Sequence, residues 1–112
     1  MADIRTEDVS PTAIILLPQG YLDRPLGQSI KTKVQEALAA GKKRIAISFG
    51  QISMINSLGM SELIECFEIA EEGEIWFADV SGMVHPILEA AGVLDLSLGS
   101  VTLDEARAQL KD

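Results

Sequence analysis

Ile45-Ala46-Ile47-Ser48-Phe49 is followed by a helical pattern from about Ser57 to Glu72 and then by Glu74-Ile75-Trp76-Phe77-Ala78-Asp79-Val80. The two flanking runs are short, apolar and rich in strand formers. Between them Met60, Leu63, Ile64, Phe67 and Ala70 recur at helical spacing, and Gly73 marks the helix end. Strand, helix and strand in that order make a right-handed crossover, which places the two strands parallel. The almost unbroken apolar character of 74–80 predicts an interior strand, covered on both faces.

The same alternation extends outward. Thr12-Ala13-Ile14-Ile15-Leu16-Leu17 reads as a buried strand ended by Pro18 and Gly20, with Ile4 to Val9 as a polar edge strand before Pro11. Pro25 suits a first helical turn; Leu26, Ile30, Val34, Ala37 and Leu38 follow at helical spacing up to Gly41. Downstream of Ser81-Gly82, Val84, Ile87, Leu88 and Ala91 outline a third helix that stops at Gly92. Pro86 in its first turn removes an N–H that would be unpaired anyway. A short strand at Leu98 to Val101 precedes a last helix opened by a Thr102-x-x-Glu105 capping box, with Leu103, Ala106 and Leu110 turned inward. The prediction is a single α/β domain over residues 1–112, a small, mainly parallel sheet with helices packed mostly on one side. Its expected core includes Ile14, Leu16, Ile45, Ile47, Trp76 and Ala78.

Composition narrows the function. The chain has 112 residues, long enough to bury roughly two-thirds of its unfolded surface. Seventeen acidic against nine basic residues leave a net charge of −8, which repels nucleic acid and anionic membrane surfaces and favours a basic protein partner. Cys66 is the single cysteine, so no internal disulfide forms and no cysteine-based metal site assembles. No apolar stretch nears the roughly 20 residues needed to span a bilayer, and Met1-Ala2-Asp3-Ile4-Arg5-Thr6-Glu7-Asp8 is too polar for a secretory signal. These features predict a cytoplasmic protein with no direct membrane insertion.

No catalytic apparatus, cofactor motif or metal-ligand spacing stands out. His85, the sole histidine, falls on the polar side of the third helix with no visible partner, and Cys66 reads as a structural thiol within the second. A regulatory position is better supported. In Met54-Ile55-Asn56-Ser57-Leu58-Gly59-Met60-Ser61-Glu62-Leu63 a helix begins just after Asn56 or Ser57, so unpaired N–H groups and a positive dipole end lie beside the Ser57 hydroxyl. Ser57 is therefore a natural N-cap and a natural switch position. Glu62, Glu65, Glu68, Glu71 and Glu72 follow without an intervening base, either as a solvated acidic face or as a docking surface for a basic partner.

Over nearly its full length the sequence resembles the STAS family, the anti-sigma factor antagonist domains of bacteria. The family's Asp-Ser-Ser/Thr-Gly-Leu-Gly run is matched by Asn56-Ser57-Leu58-Gly59-Met60-Ser61, which puts Ser57 on the phosphoacceptor serine, Gly59 on the glycine and Met60 on the leucine. Gly20-Tyr21-Leu22-Asp23 resembles the family's Gly-x-Leu-Asp before the first helix. Gly92-Val93-Leu94 resembles its turn after the third helix, and Thr102-Leu103-Asp104-Glu105-Ala106 the opening of the last. Asn56 stands in place of the usual acid, keeping its shape and capping ability but not its charge. Ser48 stands where many members carry aspartate, and Leu58 replaces a small hydroxyl residue.

The resemblance implies partner switching: an anti-sigma factor that is also a serine kinase binds the unmodified antagonist, phosphorylates Ser57 and leaves, and a phosphatase restores the complex. It further implies partner contacts from Asp23, Asn56, Leu58, Gly59 and Met60, to which the reading of the acidic helix face as a docking surface adds Glu62 and Glu65. The alternative is a non-phosphorylated binding module of a transporter or signalling scaffold, as some members of the family are.

Overall fold

The computed structural model describes residues 4–71, 73–97 and 100–111, with only the backbone of Ser100. In chain order the elements are β1 Arg5–Ser10, β2 Ala13–Leu17, β3 Gly20–Leu22, α1 Arg24–Ala39, β4 Arg44–Ser48, β5 Ile52–Ile55, α2 Ser57–Ile69, β6 Glu74–Ala78, α3 Val84–Ala90, α4 Val93–Leu96, β7 Ser100–Val101 and α5 Leu103–Gln109. A five-stranded sheet runs β1-β2-β4-β6-β7; β1 lies antiparallel to β2 and every other pairing is parallel. The expected α/β architecture, with its interior 74–78 strand and polar edge strand, is the one observed.

Strand alternation divides the core in two. Leu16, Ile45, Ile47, Ile75 and Phe77 face α1, α2 and α3 in the larger half, where Phe49 and Phe67 meet the Phe77 ring edge-to-face at 4.8 and 5.8 Å. Ala13, Ile15, Ala46 and Ala78 face Ala106 and Leu110 of α5 on the other side. The alanines let a short helix approach the sheet closely. The single-sided bias therefore holds for α1 to α3, while α5 covers the opposite face. Two core expectations shift with this division: Ile14 and Trp76 are half-buried, and Ile15 takes the fully buried place.

Three features were not legible as elements in the sequence. β3 and β5 pair in parallel as a separate two-stranded sheet, and α4 adds a single turn after the left-handed Gly92. Each is only three or four residues long, below the length at which periodicity is informative. The predicted second helix stops at Ile69, short of Glu71, because the Ala70 N–H closes the last turn on the Cys66 carbonyl and Gly73 follows. The expected strand from Leu98 begins at Ser100; Leu98, Gly99 and Glu72 lie outside the described residues.

Candidate functional site

The small sheet builds the site. Leu22 of β3 and Ile55 of β5 are register partners, so the residues that follow them, Asp23 and Asn56, occupy equivalent places. Both have nearly the same extended backbone (φ −100° and −99°), and both cap a helix. Asp23 Oδ1 accepts from the Leu26 N–H at 3.0 Å, and Asn56 Oδ1 accepts from the Gly59 N–H at 2.8 Å. The Asn56 N–H ties the two turns together by donating to the Leu22 carbonyl at 3.1 Å. Two long helices thus begin side by side, each with a positive dipole end; on α1 Pro25 has no N–H and the Leu26 and Gly27 amides both donate to Asp23, so α2 offers the freer first turn.

This corrects the capping assignment. Asn56, with the longer reach of an amide side chain, is the N-cap; Ser57 is the first helical residue. Ser57 is exposed and its hydroxyl has no hydrogen bond among the described residues, while its carbonyl accepts from the Ser61 hydroxyl at 3.0 Å. Gly59 is needed for close approach: a Cβ there would overlap the Leu22 carbonyl. Beneath it, Met60 is buried, whereas Leu58 is 48 % exposed.

The acidic run does not form one solvated face. Glu62 is buried at the α1–α2 contact, where a Cβ on Gly27 would stand only 2.6 Å from its own Cβ. Its Oε1 lies 2.9 Å from the Lys31 ammonium, a counter-ion without well-angled hydrogen bonding, and Glu65 Oε1 lies 3.1 Å from the same ammonium. Glu62, and then Glu65, hold Lys31 above the ordinary lysine value. The base missing from the local sequence is supplied by α1, so Glu62 braces the helix pair instead of meeting solvent. Glu68 and Glu71 are exposed, and Glu65 is half-exposed.

An open apolar groove of about 460 Å³ runs between the start of α2 and α3, lined by Ile55, Met60, Pro86, Ile87 and Ala90 together with Asn56 and Ser57. Sequence reading missed it because its two walls are 30 residues apart; the apolar side chain of Ile87, only half-buried, was the available signal. His85 is exposed on α3. Cys66 is fully buried, its thiol pushed up to about 12 by desolvation, and donates to the Glu62 carbonyl at 3.4 Å. Among the described residues no group of three His, Cys, Asp or Glu side chains is placed to hold a metal ion.

In sequence, residues 5–107 match the STAS domain. This chain belongs to the STAS family. No curated protein matches it. The structure resembles the phosphorylated form of the Bacillus cell fate determinant SpoIIAA (TM-score 0.74, 18 % identity, 97 % of this chain and 100 % of that one covered). It also resembles an anti-sigma factor antagonist from Mycobacterium paratuberculosis (TM-score 0.80, 15 % identity, 100 % and 96 % covered). A sulfate transporter family protein from Wolinella succinogenes has the same fold (TM-score 0.69, 19 % identity, 87 % and 83 % covered). In this STAS domain the start of α2, with Ser57, and the apolar groove share one surface, and among the described residues no helix is long and apolar enough to cross a membrane.

Proposed function

We propose that this STAS domain is an anti-sigma factor antagonist that acts in the cytoplasm without catalysis of its own. It binds an anti-sigma factor that is also a serine kinase, is released by phosphorylation at Ser57, and is reset by a phosphatase. The observation that carries this reading is that Ser57, exposed and with no hydrogen bond to its hydroxyl among the described residues, lines the α2–α3 groove. A phosphate there adds roughly −1.5 to −2 charges. The adjoining helix starts hold it with little change to the domain, while the partner that covered the groove would have to desolvate it.

Asp23, Asn56 and Leu58 reach the surface at the two helix starts and Glu65, further along α2 beside Lys31, is an accessible acid on the same helix; these supply the direct contacts. Gly59 and Glu62, placed in the partner-contact set on sequence grounds, are buried and shape the surface from beneath, while Met60, mostly buried, lines the groove itself. Incubation with the kinase that co-purifies from the native host, ATP and the chain, followed by phosphosite mapping, should find phosphate on Ser57. Ser57→Ala should remain bound under the same conditions. A bound kinase that leaves Ser57 unmodified would sink this reading.

The second reading is a non-phosphorylated binding module of a transporter or scaffold. It draws on the likeness to the sulfate transporter family protein and on Asn56, which lacks the charge a kinase base would pair with. It predicts a stable complex through the same groove and no effect of ATP.

A further inference from the structure

A second hollow, of about 360 Å³, opens on the α5 face at the carboxyl ends of β2, β4 and β6, between β1 and α5. Its size falls in the range of small-ligand clefts. Part of its wall is internally neutralised: Arg107 Nε and Nη2 donate to the two Glu7 oxygens at 2.8 and 3.0 Å, and Nη1 donates to Asp104 at 3.1 Å. Three further groups are less completely matched. Ser48 is buried, and its Oγ accepts from the Gly50 N–H at 3.4 Å, yet its own proton has no acceptor among the described residues. Asp79 sits in the left-handed region (φ 54°), with Oδ1 accepting from the Leu103 N–H at 2.9 Å. Its Oδ2 faces Gly50, 3.2 Å from where a Cβ would stand, and has no donor among the described residues. Arg5 lines the same hollow from its exposed rim; it makes no ion pair within 4 Å among the described residues, and its charge helps to lower the Glu7 carboxyl.

We propose that this hollow binds a small zwitterion of the free amino acid class. The Asp79 carboxylate receives its ammonium group and the Arg5 guanidinium its carboxylate, with Ser48 and the side-chain amides of Gln19 and Gln51 hydrogen-bonding between them. A zwitterion meets both charges at once, whereas a simple anion engages only Arg5 and a simple cation only Asp79; the lining of this hollow has no aromatic side chain on which a sugar would stack. Gly50 belongs to the site because any side chain there presses on the Asp79 carboxylate.

The test is titration of the isotope-labelled chain, followed by amide chemical shifts, with glycine, β-alanine and γ-aminobutyrate, whose charges stand successively further apart. Acetate and methylammonium are the single-charge controls. At least one zwitterion should saturate, moving the amides of Gln19, Gly50, Gln51 and Leu103, which line the hollow, while neither control saturates. Asp79→Asn keeps the Leu103 cap and tolerates the left-handed backbone, so it removes only the charge. It and Arg5→Gln should each weaken binding by about tenfold, the equivalent of one charge-assisted hydrogen bond, with unchanged spectra in the free state. Gly50→Ala should weaken binding as well. Absence of saturation by every zwitterion, equal saturation by acetate, or binding indifferent to all three variants would each overturn the proposal. None of these readouts depends on Ser57.

Discussion

Asn56 and Ser57 are neighbours with separable duties. Asn56→Ala removes the side-chain acceptor of the Gly59 N–H and should lower unfolding free energy by about 0.5–2 kcal/mol in a denaturant titration. Ser57→Ala, at an exposed first-turn position with no hydroxyl bond to lose, should fall within about 0.5 kcal/mol of the parent. Loss of phosphorylation in Ser57→Ala is then not attributable to unfolding. Gly59 is the least replaceable residue of the turn. Alanine ordinarily favours a helix by about 1 kcal/mol over glycine, but its methyl group would enter the Leu22 carbonyl. Gly59→Ala should therefore destabilise by about 3 kcal/mol or more, and an unchanged midpoint would show that β3 is not where α2 rests.

At the scale of elements, packing and fastening use different chemistry. β4 is the middle strand of the sheet, and Ile47 is fully buried between Leu16 and Phe77. Ile47→Ala should cost about 2–5 kcal/mol, read from the same titration. The edge strand β1 is joined to α5 by Glu7 and Arg107, and hydrogen bonding to that guanidinium holds the Glu7 carboxyl below its ordinary value of 4.5. A depressed carboxyl contributes its stability fully above the ordinary value and loses it as pH falls through the lowered one. Glu7→Gln should be less stable than the parent at neutral pH, by a small margin since the pair is partly solvated, and the difference should vanish in acid. A difference that grows on acidification would reverse the assigned shift.

For the whole molecule, a switch at Ser57 requires that modification change what binds and not how the chain folds. Ser57→Asp should leave the thermal midpoint and the backbone spectrum nearly unaltered away from the starts of α1 and α2, yet weaken partner binding. Global spectral change would mean that the site is coupled to the core. The order of the main strands and of the larger helices was legible in the sequence because period-2 and period-3.6 patterns are local. The Thr102–Glu105 capping box was legible for the same reason, since both of its hydrogen bonds close within three residues. Ser57 was legible as a helix start, though not which of two adjacent polar residues caps it. Only the tertiary structure decided that Asp23 and Asn56 are twin caps, that Lys31 reaches across to neutralise Glu62, and that Ile87 and Ser57 line one groove. Each of these joins residues about 30 positions apart. A chain's local pattern dictates what each segment becomes, but a contact over that distance exists only once β3 and β5 have paired and α1 lies against α2.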